Sequence, residues 1–394
     1  MRFGAFIAPH TPTDEHPSLA LEEDMERVVW MEKLGFDEAW IGEHHSGGWE
    51  INGSPEVFIA AVSQRTSRIK LGTGVASLPY HNPFTLADRI RQLDHVTKGR
   101  TILGMGPGSL PSDAYMIGVP TSEARDRMEQ AIEPIVRLLN NEIVTAKTDW
   151  FNLQEARLQL DAYNDDGVEI AVASQVSPTG ARAAGKFGLS MLAIGATSAG
   201  GFNALASNWA IAEETAAEHG NTMDRNGWRL VGPVHIAETR EKARENVRYG
   251  LLRWIEYMEK VAAIPLAPPS GQDPVDYIIE TGFGVIGTPD DFVAQMGRLS
   301  EQSGGFGAFL NLDSHWADWP ETKRSYELIA RFAIPKINKL NESRIRSETW
   351  LRDNNVRFKG ELTAAVRSKM EEYAKEKGMD KLSPDLVAHF KAQN

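Results

Sequence analysis

Residues 38–105 read EAWIGEHHSGGWEINGSPEVFIAAVSQRTSRIKLGTGVASLPYHNPFTLADRIRQLDHVTKGRTILGM. Three β-rich runs, 38–41, 69–76 and 101–105, alternate there with helical patterns at 55–66 and 83–96, the logic of successive βαβ units. The same rhythm extends in both directions. A strand at 3–7 and a helix at 19–34 precede the stretch; a helix at 122–139, a strand at 168–173, a helix at 178–187 and a strand at 191–194 follow it. A helix at 199–219, a strand at 229–237, a helix after Arg240, a strand at 308–311 and a helix at 326–333 complete eight βα units. Eight units predict a closed (β/α)8 TIM barrel of the α/β class. Two stretches interrupt it, about 141–166 and about 262–283. In the second, Pro265, Pro268, Pro269 and Pro274 are expected to forbid a regular helix. The barrel is therefore expected over 1–335, and the charged, helix-patterned segment 336–394 reads as a helical C-terminal extension.

Composition narrows the function. The chain has 394 residues, a formal charge of −12 and no cysteine. An acidic surface without a basic stripe argues against nucleic acid as a partner. The lack of cysteine removes thiolate nucleophiles and sulfur-ligated metals, and fits a cytoplasmic protein. MRFGAFIAPH at the start reads as a strand rather than a signal peptide, and no apolar run approaches the roughly 18 residues of a membrane helix.

A barrel gathers its reacting groups at the carboxyl ends of its strands, where the loops converge. His10 follows the first expected strand, His44 and His45 end the second, His81 follows the third and His315 the eighth. Histidine exchanges a proton near neutrality, so all five are candidates for the mouth. Neighbours on an extended segment point to opposite sides. One of His44 and His45 is thus expected to face the pocket, and His44 is the candidate catalytic residue. A metal reading of Glu43, His44 and His45 fails on spacing: adjacent residues cannot readily converge on one ion, and neither His-x-His after the first strand nor HExxH on a helix occurs.

Residues 173–182, ASQVSPTGAR, end the fifth strand and start a helix. Hydroxyls and unpaired N–H groups of Ser174, Gln175, Ser177 and Thr179 suit a phosphate at a helix start, although Ser177 acting only as a helix cap would look the same. In 72–79, GTGVASLP, Gly74, Val75 and Ala76 offer bare backbone to a planar ligand, or form a simple bulge. Residues 104–109, GMGPGS, are not GxGxxG, and Pro107 has no N–H to donate; Gly106 suits close approach of a flat ring or a tight loop. Trp49 and Trp316 flank mouth loops, where they either wall an apolar substrate or serve as packing.

Taken together, residues 40–108 resemble the bacterial luciferase-like flavin-dependent monooxygenases. The likeness resumes at 171–188, AVASQVSPTGARAAGKFG. Within that family the chain is most similar to the limonene 1,2-monooxygenase type, through GMGPGSLPSDAY (104–115) and LDSHWADWPETKRSYEL (312–328). The resemblance implies a homodimeric TIM barrel that binds reduced FMN, delivered by a separate NAD(P)H-dependent flavin reductase. It implies oxygenation of a small apolar substrate with O2 through a C4a-(hydro)peroxyflavin. It further implies that His44 is the catalytic histidine of the EHH motif, that Gly74–Val75 is a non-prolyl cis peptide beneath the isoalloxazine, and that Ser174, Gln175, Ser177 and Thr179 form the flavin-phosphate turn. The chain departs from luciferases in three places. Ser174-Gln175 stands for Glu-Ser, Pro107 for a phosphate-gripping arginine and Gly106 for a reactive cysteine, so weak, exchangeable FMN binding is expected.

The expected reaction turns on one proton held by His44. A protonated peroxide suits terpene epoxidation or hydroxylation, and a deprotonated one suits a Baeyer–Villiger oxidation. The proline-rich stretch is a candidate lid that excludes water. Two rival readings share the scaffold: a deazaflavin-dependent oxidoreductase and a non-catalytic flavin-binding protein.

Overall fold

Alternate residues of a strand face one side, and in this chain that period builds two layers inside a closed ring. The computed structural model describes residues 1–8, 10–378, 383–385 and 387–388. Eight parallel strands form the ring: β1 (Arg2–Ile7), β2 (Glu38–Ile41), β3 (Lys70–Thr73), β4 (Thr101–Gly106), β5 (Glu169–Ala173), β6 (Ser190–Ala193), β7 (Trp228–Ile236) and β8 (Ala308–Leu312). Each pairs with the next, and β8 closes on β1 with Arg2 opposite Ala308 and Phe6 opposite Leu312. The (β/α)8 TIM barrel expected from the sequence is the fold observed.

Phe6, Trp40, Ile102, Ala171, Leu192, Val231 and Leu310 fill the interior. Two residues earlier on their strands, Glu38, Glu169 and Arg229 form a charged layer at the amino-terminal end. Glu38 accepts from Arg229 Nε at 2.7 Å, from Arg2 Nε at 2.8 Å and from Trp40 Nε1 at 2.9 Å. Arg229 also donates to Glu169 at 2.6 Å, Lys70 reaches Glu169 at 2.9 Å, and the Arg229 guanidinium lies 5.1 Å from the Trp40 ring centroid. Burial alone would raise the pKa of both acids, but the cations outweigh it and hold both below the usual carboxylate range, Glu169 at about 2.

The helices cover the ring through apolar residues at helical spacing, such as Val28 and Met31, Leu86, Ile90 and Leu93, and Met128, Ile132, Ile135 and Leu139. Several boundaries differ from expectation. The run 69–76 is strand only to Thr73; the Gly74–Val75 peptide is cis, and Ala76–Ser77 then pairs with β4, Ala76 opposite Met105 and Ser77 opposite Gly106. The first insertion contains the hairpin Val144–Lys147 and Asn152–Ala156. The second contains a regular helix, Pro274–Thr281, contrary to the proline argument. Pro274 occupies its first turn, where the missing N–H costs nothing, and Asp273 Oδ1 caps it from Val275 N–H at 2.8 Å. The short helix Pro111–Ile117 was not expected, and the last barrel helix begins at Trp319 rather than 326, behind an Asp318 cap.

The chain divides into two units, 1–338 and 339–394. The second carries the helices Glu342–Asp353 and Asn355–Lys377, and no strand among its described residues. Among the described residues no helix is long and apolar enough to cross a membrane.

Candidate functional site

The carboxyl ends of four consecutive strands, β2 to β5, form an arc that carries His44, Gly74–Val75, Gly106 and Ser174 in that order. The arc is tight. A Cβ on Gly106 would sit 2.5 Å from Val75 Cγ2 and 3.4 Å from Ala173 Cβ, so the glycine lets the ends of β3, β4 and β5 meet. Ala76 is buried beneath them.

His44 is fixed by a loop that folds back after β2. Its backbone N–H donates to Asn52 O at 3.1 Å, and Asn52 Nδ2 donates to Gly42 O at 2.7 Å. The ring is held at both nitrogens. Nε2 lies 2.8 Å from Glu50 Oε2, and Nδ1 lies 3.1 Å from Asp113 Oδ2. Asp113, on the helix Pro111–Ile117, also accepts from the His45 backbone N–H at 3.1 Å and from the Ser46 hydroxyl. Burial alone would lower the pKa of His44, but hydrogen bonds to Asp113 and Glu50 overcome it and raise it to about 10.

Glu50 has further neighbours. Tyr257, from the helix Leu251–Lys260, donates its hydroxyl to Glu50 Oε1 at 3.0 Å, and His10 Nε2 stands 3.8 Å away. Burial would raise the Glu50 pKa, yet His44, His10 and Tyr257 bring it down to about 2. Burial and the adjacent Glu50 raise the Tyr257 pKa, so the phenol keeps its proton. Trp49 stacks on Tyr257 at 4.8 Å and 16°. His10 is fixed from the other side, Nδ1–H donating to the Asp313 carbonyl at 2.8 Å.

Glu43 organises a second pair. His81 Nε2 reaches Glu43 Oε1 at 2.7 Å and His45 Nε2 reaches it at 3.1 Å, while Glu43 Oε2 accepts from Ser77 N–H at 2.6 Å. Arg89 donates to His81 Nδ1 at 3.2 Å; a guanidinium offers only donors, so the His81 proton sits on Nε2. His44 and His45 thus turn to different carboxylates within the loop after β2. No group of three or more metal-ligating side chains among the described residues converges to hold an ion.

At the end of β5, Ser174 is 2 % exposed, and its hydroxyl is buried with no hydrogen-bond partner. Ser177 caps the helix Pro178–Phe187: its Oγ accepts from Thr179 N–H at 3.3 Å and donates to Thr179 Oγ1 at 3.0 Å. Gly180 lets that helix close on β5, since a Cβ there would lie 2.0 Å from Ala173 O. Gln175 is exposed, its carbonyl accepting from Asn208 at 2.6 Å. A buried hydroxyl without a partner is unfavourable unless a ligand completes it. Beside a helix start it fits an anionic oxygen, so these residues are compatible with the phosphate of a flavin mononucleotide.

Two expected pocket residues, in the loop after β8, are engaged by other side chains. His315 Nε2 faces Glu15 at 3.0 Å and its ring packs near Tyr249. Trp316 is 2 % exposed and packs edge-on against Trp254 at 5.5 Å, inside an apolar cluster with Leu266, Val275 and Ile278 of the second insertion. Sequence reasoning overlooked Glu50, Asp113 and Tyr257. The available signal was local for Asp113, an acid in the first turn of a helix opened by Pro111 just after a glycine-rich turn.

The luciferase-like monooxygenase family profile matches residues 1–305. Limonene 1,2-monooxygenase of Rhodococcus erythropolis is 46 % identical over 365 residues, 93 % of this chain and 94 % of that enzyme. The 4-hydroxyprotoasukamycin monooxygenase of Streptomyces nodosus subsp. asukaensis is 41 % identical over 357 residues, 89 % and 95 % of the two chains. Among solved structures, the oxygenating constituent of 3,6-diketocamphane monooxygenase from Pseudomonas putida, a type II Baeyer–Villiger monooxygenase in complex with FMN, superposes with a TM-score of 0.71 at 25 % identity, over 86 % of this chain and 98 % of that one.

Proposed function

The chain belongs to the luciferase-like monooxygenase family, and from that premise we propose that it is the oxygenating component of a two-component system. In this reading it uses reduced FMN from a separate NAD(P)H-dependent reductase to place one atom of O2 on a small apolar substrate. The arc of strand ends carries the proposal: a fixed imidazole just after β2, side-chain-free backbone at Gly74 after β3 and a partnerless buried hydroxyl after β5 follow one another around the mouth. Bound reduced flavin would supply the electrons that activate oxygen. The chain does the rest. Ser174 and the start of the helix Pro178–Phe187 hold the phosphate, and the Gly74–Ala76 backbone supports the ring system. His44 stands beside the reacting centre as a fixed cationic group. Trp49, Phe283 and Leu312, half-buried around the second apolar cluster, keep water from the mouth.

No basic side chain lies in 174–180, SQVSPTG, which supports weak, exchangeable FMN as in an enzyme that receives its cofactor from a partner. Likeness to limonene 1,2-monooxygenase favours an alkene such as a monoterpene over an aldehyde. The test is a coupled assay with a flavin reductase, NADH, FMN and a panel of terpenes, ketones and aldehydes. Oxygenated terpene with matching O2 uptake is expected. Hydride exchange with a deazaflavin, or tight flavin binding with no product from any substrate, would replace the proposal by the corresponding rival.

A further inference from the structure

Both ring nitrogens of His44 lie within hydrogen-bond distance of a carboxylate oxygen. Nε2 is 2.8 Å from Glu50 and Nδ1 is 3.1 Å from Asp113. Both carboxylates are buried, and each is held by groups that act only as donors toward it. Tyr257 gives its hydroxyl to Glu50; the His45 backbone N–H and the Ser46 hydroxyl go to Asp113. A neutral imidazole has one N–H and one lone pair. Placed between two ionised carboxylates, both of which titrate below the usual range, it would set its lone pair against an acceptor oxygen, so the doubly protonated ring is the form that satisfies this geometry.

We infer that Glu50 is a positioning residue of the oxygenation site: with Asp113 it clamps the His44 ring as a permanently charged, fixed element and not as a titrating acid or base. The role assigned to His44 rests on the reading of the barrel mouth given above; the clamp itself does not. The groups facing the pair come from every packed element. They are His10 beyond β1, Glu43, His45 and Glu50 in the loop after β2, Tyr80 and His81 after β3, Asp113 on the helix Pro111–Ile117 and Tyr257 on the helix Leu251–Lys260. Of these, the two carboxylates alone contact the His44 ring, so its charge state depends on them. A proton consumed in oxygenation must then reach the reacting oxygen from another donor or from solvent, while His44 supplies a fixed positive field.

The test is a pH titration of the ten histidines in the 15N-histidine-labelled, flavin-free chain, with His44 assigned through His44→Gln. Both His44 nitrogens are expected to stay in the protonated range from pH 5.5 to 8.5, while exposed histidines titrate. In Glu50→Gln, which keeps an acceptor but removes the charge, the His44 midpoint is expected to fall by roughly two units, from above that range into it. The kcat/KM for oxygenated product, flat over that range in the wild type, should then gain a limb that descends as pH rises. Asp113→Asn, the other half of the clamp, is expected to lower the midpoint in the same direction. A wild-type His44 that titrates near 6.5, or a midpoint unmoved by either variant, would overturn the inference. A locked His44 in a chain that makes no oxygenated product would instead sink the oxygenase reading and leave the clamp standing.

Discussion

The barrel carries a buried charged network at each end, and the two differ in their cations. At the amino-terminal end Glu38 and Glu169 are met by Arg229, Arg2 and Lys70. At the mouth Glu43, Glu50 and Asp113 are met by histidines. A guanidinium never releases its proton in the physiological range, whereas an imidazole does so unless its surroundings forbid it. Arginine makes the lower network a fixed plug under Trp40. At the mouth the cations are imidazoles, and that of His44 stays charged only through Glu50 and Asp113, which raise its pKa to about 10. One architecture therefore separates holding the ring together from working on a ligand.

The sharpest way to break this contrast is to exchange the consequences of the two networks. Arg229→Met leaves Glu38 buried with only Arg2 beside it and is expected to lower stability by about 3 kcal/mol, read by chemical denaturation. His44→Ala should lower kcat for oxygenated product by roughly 10² to 10³ while the unfolding midpoint changes far less and FMN still binds. If the losses fell the other way round, with stability lost at the mouth and activity lost at the base, the division of labour would be wrong.

pH separates the two ends with opposite signs. His44 has a folded pKa raised from 6.5 to about 10, so its contribution is complete below about 6.5 and disappears as pH rises toward 10. Glu169 is lowered from 4.5 to about 2; its contribution is complete above 4.5 and disappears as pH falls to about 2. Hydrogen exchange on going from pH 7 to 10, corrected for the intrinsic rate, should loosen the loop 42–53 before the strands. Uniform loosening would show that the mouth is no more titratable than the base.

A smaller effect tests the proposed flavin site. Ser174→Ala removes the partnerless hydroxyl and should weaken FMN binding by about two- to tenfold, with riboflavin unaffected, in a fluorescence-quenching titration. Equal loss for both would move Ser174 away from the phosphate.

What could be read in the sequence follows from the range over which each signal acts. Strands alternate every two residues, so β1 through β8 were visible, and the EHH run marked the mouth because apolar strand gives way to polar loop within a few residues. Glu50 carried no such mark. It lies in an irregular loop, and Tyr257, its donor, is 207 residues away. Asp113 sits on a seven-residue helix, too short to show a period. Glu38 and Arg229 are 191 residues apart and meet because both point inward from the foot of their strands. Pro274 misled because proline forbids a helix interior yet favours a helix start. For Trp316 the sequence left wall and packing open, because a mouth loop and a buried corner have the same local composition; the residue is 2 % exposed.

The most direct measurement is isotopic. Purified protein supplied with a flavin reductase, NADH, FMN and 18O2 should yield a monoterpene product carrying one 18O atom, and the label should fall sharply in the His44→Ala variant. Unlabelled substrate recovered intact, with all reduced flavin returned as hydrogen peroxide in the presence of every alkene and ketone offered, would contradict the assignment of the barrel mouth as an oxygenation site.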